Sequence, residues 1–128
     1  MKTNVIKSLL TVLGIILVQT VCAQEKKQMV RLAKIVVDSA QLETYNTLLK
    51  EEIESSMRIE KGVLLLYAVS EQKRPTRITI LEIFADVDAF QSHIKTPHFL
   101  KYKTATKDMI KSLEVLEADP LVPGMKVK

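Results

Sequence analysis

The chain has no tryptophan and a single cysteine, Cys22. One thiol cannot close a disulfide within the chain or build a multi-cysteine metal site, so neither device is available to hold the fold. Glycine (3) and proline (4) are scarce among 128 residues, and neither an internal repeat nor a low-complexity segment is present, which excludes collagen-like and linker-rich classes. An excess of one charge is also missing: 19 basic residues face 15 acidic ones, a net +4, with the signs mixed along the chain. No arginine cluster interleaves with aromatics, so no nucleic-acid partner is expected. The apolar run at the N-terminus, Leu9 to Val18, is ten residues long, against the about 20 that a bilayer-spanning helix needs.

That run reads instead as part of an export signal. Lys2 and Lys7 precede it, and Val21-Cys22-Ala23 follows as a small-residue exit, the order of a cleavable signal peptide. Residues 1–23 are therefore expected to be removed between Ala23 and Gln24, giving a periplasmic or secreted protein. The alternative is a lipoprotein anchored through Cys22. A lipoprotein signal carries leucine three residues before its cysteine and a small residue just before it, and Gln19 and Val21 occupy those positions. No membrane association is expected unless Cys22 is lipidated. In either case the mature domain has no cysteine left for a disulfide or a thiol nucleophile. Without Lys2 and Lys7 the 19 basic residues fall to 17 against 15 acidic ones, a net +2.

Residues 24–28 form a polar leader, and residues 29–118 read as one α+β domain followed by a tail, 119–128. Met29 to Val37 is apolar enough for a strand. Asp38 and Gln41 mark a helix start. Leu42, Tyr45, Leu48, Leu49, Ile53 and Met57 then recur at spacings of three and four, which places them on the buried face of a long helix. Gly62 ends that helix. Val63 to Ser70 and Arg77 to Ala85 are two strands, joined by a polar loop, Glu71 to Thr76, that contains Pro75. Asp86 or Asp88 caps a short helix through Phe90 and Ile94. Thr96-Pro97 starts another, with threonine as the cap and proline at the first position, and Phe99, Tyr102 and Met109 continue its apolar face. Leu113 to Leu116 is the last strand. The order β-α-β-β-α-β is that of a ferredoxin-like antiparallel sheet with helices on one face.

The other face of that sheet is expected to be buried as well. In the second strand Val63, Leu65, Tyr67 and Val69 point one way and Leu64, Leu66 and Ala68 the other; in the third, Thr79, Leu81, Ile83 and Ala85 oppose Ile78, Ile80, Glu82 and Phe84. A sheet with one wet face alternates with polar residues, and this one does not. A second copy of the chain is the expected cover, giving a homodimer.

Several stretches resemble one family. Glu60-Lys-Gly-Val-Leu-Leu-Leu-Tyr67, Pro75-Thr-Arg and Ile80-Leu-Glu-Ile-Phe-Ala-Asp86 are similar to its "E-x-G", hairpin and "E-x-[YF]-x-D" pattern. His93-Ile-Lys-Thr-Pro-His98-Phe99 is similar to the "H-x-x-T-P-H-F" that opens the final helix in quinol-monooxygenase-like members. From about Val30 to Val122 the chain thus resembles the antibiotic biosynthesis monooxygenase family. The resemblance implies a dimeric α/β barrel, with sheets packed face to face and a small pocket between sheet and helices. It also implies oxidation of phenols or quinols by O₂ with neither metal nor flavin. Other members isomerise signalling sugars or degrade haem. The haem-degrading and polyketide-oxidising branches rely on a tryptophan, which this chain lacks, and export argues against a cytoplasmic phosphosugar.

His98, in the first turn of the Thr96-Pro97 helix, is the leading catalytic candidate, as proton acceptor or orienter of a phenol; the structural alternative is packing or capping. Glu82 is the second, because a carboxylate inside the run Thr79-Ile-Leu-Glu-Ile-Phe84 is out of place. Burial raises a carboxyl's pKa toward that of a useful base; the alternative is an ion pair with a helix residue such as Arg58, or exposure at an edge. Tyr67, Phe99, Tyr102, Phe84 and His93 are the candidate substrate-binding residues. Arg58 and Glu60 read as a solvated helix end. His93 and His98 are five apart with a helix break between them, unlike the i, i+4 pair of a helical metal site, so no metal and no cofactor are expected. The expected activity is a cofactor-independent monooxygenase for a small quinol or phenol. The alternatives are a non-catalytic dimeric protein that binds a small hydrophobic molecule, and a small-molecule isomerase.

Overall fold

The computed structural model describes residues 26–124; the signal segment, Cys22 and the last four residues lie outside them. Four strands and three α-helices follow one another as β1 (Met29–Val37), a 3₁₀ turn (Ser39–Gln41), α1 (Leu42–Ile59), β2 (Val63–Glu71), β3 (Arg74–Phe84), α2 (Val87–His93), α3 (Pro97–Thr106) and β4 (Ile110–Ala118). The sheet is antiparallel throughout in the order β2-β3-β1-β4. This is the expected ferredoxin-like arrangement, with its second helix broken into α2 and α3. Among the described residues no helix is long and apolar enough to cross a membrane.

Local chemistry sets the boundaries. Asp38 caps the 3₁₀ turn by accepting from the Ala40 amide, so α1 proper starts at Leu42, later than the capping signal suggested. Asp86, and not Asp88, caps α2 through the Ala89 amide at 2.7 Å. Thr96 caps α3 with Pro97 in its first turn, as expected. The β2–β3 connection is far tighter than the expected polar loop: only Gln72 and Lys73 separate the strands. Pro75 lies inside β3 because the register shifts there and β1 pairs with β3 only up to Arg77, so no partner needs the missing N–H.

Two side-chain assignments differ from simple periodicity. A register shift between Val63 and Leu65 rotates Val63 onto the helix-covered face, where it opposes Phe84 and packs in the core with Leu66. On α1 the buried positions are Tyr45, Leu49, Glu52 and Ser56, whereas Met57 is exposed. The apolar stripe therefore gives way to polar side chains toward the helix's C-terminal end.

The core lies between the sheet and the helices. Ala33, Ile35 and Val37 of β1 and Ile78 and Ile80 of β3 meet Tyr45 and Leu49 of α1. The helices leave β4 uncovered: Leu113 and Val115, which oppose Ile35 and Ala33 in register, stay exposed on the helix side. The opposite sheet face carries Leu32, Val36, Leu65, Tyr67, Val69, Leu81, Ile83 and Leu116, with Tyr67 61% and Val69 48% exposed.

Gly62 works through space rather than through a left-handed helix end. A Cβ there would stand 2.6 Å from the Ala89 Cβ, so the start of α2 can press against the α1–β2 turn only over a glycine. Gly62→Ala is expected to cost about 1–3 kcal/mol, the scale of an overpacked contact, read as a lower urea midpoint at unchanged slope.

Candidate active site

A cavity of about 540 Å³ lies between the helices and the sheet and opens toward β4. Most of its wall is apolar, with Leu66, Ile80, Phe90, Ile94 and Phe99 contributing; Tyr102, His93, Glu52, Glu82 and Arg31 supply polar atoms. Each arrives from a different element. Register pairing of β1 with β3 sets Arg31 opposite Glu82; α1 contributes Glu52, the end of α2 contributes His93, and α3 contributes Phe99 and Tyr102.

Glu82 is the most unusual group in the cavity. Its Oε2 is buried, lies 3.4 Å from Arg31 Nη1 and has no hydrogen-bond partner. The Arg31 guanidinium is itself committed to the face of Phe90, 4.3 Å from the ring centroid. Burial pushes the Glu82 carboxyl above the ordinary carboxylate range, against the pull of Arg31. The cation beside Glu82 is Arg31 and not a helix residue such as Arg58; it is brought alongside by a strand pairing that no local sequence signal reports.

A second polar group gathers beside the cavity. Glu60, expected to be solvated, has a side chain only 12% exposed, and both histidines converge on it. His98 Nε2 stands 2.7 Å and His93 Nδ1 3.0 Å from the same oxygen, Glu60 Oε2. Burial alone would raise the Glu60 carboxyl, but the contacts from His98 and His93 outweigh it and hold it below its usual value. His93 Nε2 faces Glu52 Oε1 at 3.6 Å, and Ser56 Oγ donates to that oxygen at 2.7 Å. Burial raises the Glu52 carboxyl. Tyr45 and Tyr102 share a 2.6 Å hydroxyl contact, and burial raises both phenols.

The candidate residues thus divide. Glu82, His93, Phe99 and Tyr102 line the cavity. His98 does not; its ring turns to Glu60 instead. Phe84 is fully buried and packs on Phe90 and His93 as core. Tyr67 stands on the opposite sheet face, because strand alternation after the register shift turns it away from the helices. Sequence reasoning missed Glu52, Glu60 and Arg31. Glu52 had a signal, its place on the same helical stripe as Tyr45, Leu49 and Ser56; Glu60 had one in the "E-x-G" match; Arg31 had none.

A carboxyl whose pKa is higher in the folded than in the unfolded chain lowers stability as the pH rises through the interval between the two values. Glu82→Gln stays neutral throughout. Its stability relative to the parent chain is therefore expected to improve as the pH rises above the ordinary carboxylate range, as measured by denaturant midpoints across pH.

Residues 29–105 match the family model described as antibiotic biosynthesis monooxygenase. Among solved structures, a protein from Bacteriodes thetaiotaomicron VPI-5482 provisionally named an antibiotic biosynthesis monooxygenase is 59% identical. That match covers 80% of this chain and 97% of the other, with a TM-score of 0.79. A protein from Lactobacillus acidophilus NCFM, provisionally named a monooxygenase, is 30% identical over 71% of this chain at a TM-score of 0.67, and this chain spans 45% of its length. A protein from Nitrosomonas europaea, with 77% of this chain and 94% of that one aligned, shares the fold at 19% identity and a TM-score of 0.71. The search of curated proteins gives no match. With more than half of the sequence under one family model, the chain belongs to the antibiotic biosynthesis monooxygenase family.

Proposed function

We propose that this protein is a cofactor-independent monooxygenase that oxidises a small quinol or phenol with O₂, and that Glu82 is its base. The observation that carries the reading is Glu82 Oε2, buried without a hydrogen-bond partner in a cavity whose wall is mostly apolar. A carboxyl held above its usual pKa there accepts a phenol proton more readily than an exposed one. The resulting phenolate is electron-rich, and a dry wall keeps water from competing for it. For a quinol the balance needs no other reductant: quinol plus O₂ gives hydroxyquinone plus water, with one oxygen atom entering the ring. Phe90 and Phe99 suit the flat faces of an aromatic ring, and Tyr102 supplies a hydroxyl at the wall. Export from the cytoplasm after loss of residues 1–23 belongs to the same reading.

The test is O₂ uptake by the purified mature chain over a panel of quinols and phenols. Uptake is expected with at least one of them, and Glu82→Gln is expected to lower kcat by about 10²–10⁴-fold, the usual worth of a positioned base, with a smaller effect on ligand affinity. Saturable binding without uptake across the panel would replace the oxygenase with a binding protein. Deuterium exchange into a ligand without uptake would replace it with an isomerase.

The proposal includes a homodimer. An apolar sheet face that exposes Tyr67, Val69 and Leu116 together is unusual for a monomer, and a second copy of that face covers it. Light scattering at micromolar concentration is expected to give twice the chain mass. A monomeric mass would refute the dimer without touching the oxygenase.

A further inference from the structure

We propose that His93, His98 and Glu60 form a binding site for one late first-row divalent transition-metal ion, of the Zn²⁺ class. The sequence contains only two histidines, and the structure turns both toward one carboxylate oxygen. One donor atom from each of the three residues lies within 4.8 Å of the others. The histidine spacing excludes a pair on one helix, yet the break between α2 and α3 removes that restriction. His93 ends α2, His98 lies in the first turn of α3, and Glu60 caps the end of α1.

The donors suit the ion. Two imidazole nitrogens and one carboxylate oxygen are the set that three-ligand zinc sites use, with water in the fourth position. Zinc–ligand bonds of about 2.0–2.2 Å place tetrahedral donors about 3.3 Å apart. His98 Nε2 and His93 Nδ1 are already 2.7 and 3.0 Å from Glu60 Oε2, so small outward shifts admit the ion. A neutral His93 that ligates through Nδ1 carries its proton on Nε2, where Glu52 Oε1 lies 3.6 Å away and is itself held by Ser56. A carboxylate behind a ligating histidine is the usual device for fixing the ring. The ion would lie on the Glu60 and His98 side of His93 and tie three helix ends together.

The experiment uses the full mature chain, dialysed against a chelator and titrated with Zn²⁺ by calorimetry, with the imidazole NMR signals followed in parallel. Because only two histidines exist, no variant is needed to identify the two imidazole ligands. One ion per chain is expected, with both imidazoles shifting in step with occupancy and a rise in Tm. Glu60→Gln and His98→Gln should each weaken Zn²⁺ binding by at least tenfold, and Co²⁺ in place of zinc should give the visible bands of a four-coordinate site. No saturable binding, or binding that leaves either imidazole signal unmoved, would overturn the proposal and leave a hydrogen-bonded cluster only.

Discussion

Burying a carboxylate among helices is costly unless its lone pairs are used, and Glu60 meets that requirement with a single oxygen shared by two imidazoles. Much of the architecture around it follows. His93 can reach Glu60 only from the end of α2, and His98 only from the start of α3, so the chain must turn between them. Thr96 makes that turn affordable: its hydroxyl donates to the His93 carbonyl and accepts from the Phe99 amide. Phe99 then packs 4.9 Å from the His93 ring, and Tyr102, one turn on, meets Tyr45 of α1.

The cavity is bounded by two kinds of constraint. On the sheet side, β1–β3 pairing places Arg31 beside Glu82. Arg31 divides its attention between the carboxylate and the Phe90 ring, so it moderates the Glu82 charge without satisfying it. On the helix side, polar residues at the C-terminal half of α1 replace the apolar stripe of its first half. The result is a pocket with a mostly apolar wall that also carries two acids, Glu52 and Glu82, and three cations, Arg31, Lys103 and Lys107.

Element order and most helix boundaries were legible because they depend on local chemistry: Thr96-Pro97 and the apolar runs are self-contained signals, whereas the choice of Asp86 over Asp88 as the α2 cap came from the fold. The Val63 register shift was not, since an inserted strand residue leaves no mark in the local alternation of apolar side chains. Pro75 misled for the same reason in reverse; proline is tolerated in a strand when the neighbouring strand ends short of it, and that is a tertiary fact. At the site, Glu82 announced itself as an acid in an apolar run. Glu60 did not, because a glutamate beside lysine at a helix end has the composition of a solvated terminus, and only the arrival of two histidines from 33 and 38 residues away changes its meaning. His98 was found for its helix position and family motif, but its direction depends on Glu60.

The β1–β4 pairing also has a topological consequence. Val30 opposes Ala118, and Lys27 reaches Asp119 at 2.6 Å, so the segments entering and leaving the domain run side by side at one corner of the sheet. The domain is therefore nearly a closed loop. A short peptide joining that corner would let the chain be reopened at the Gln72–Lys73 turn, a circular permutant with every strand and helix intact.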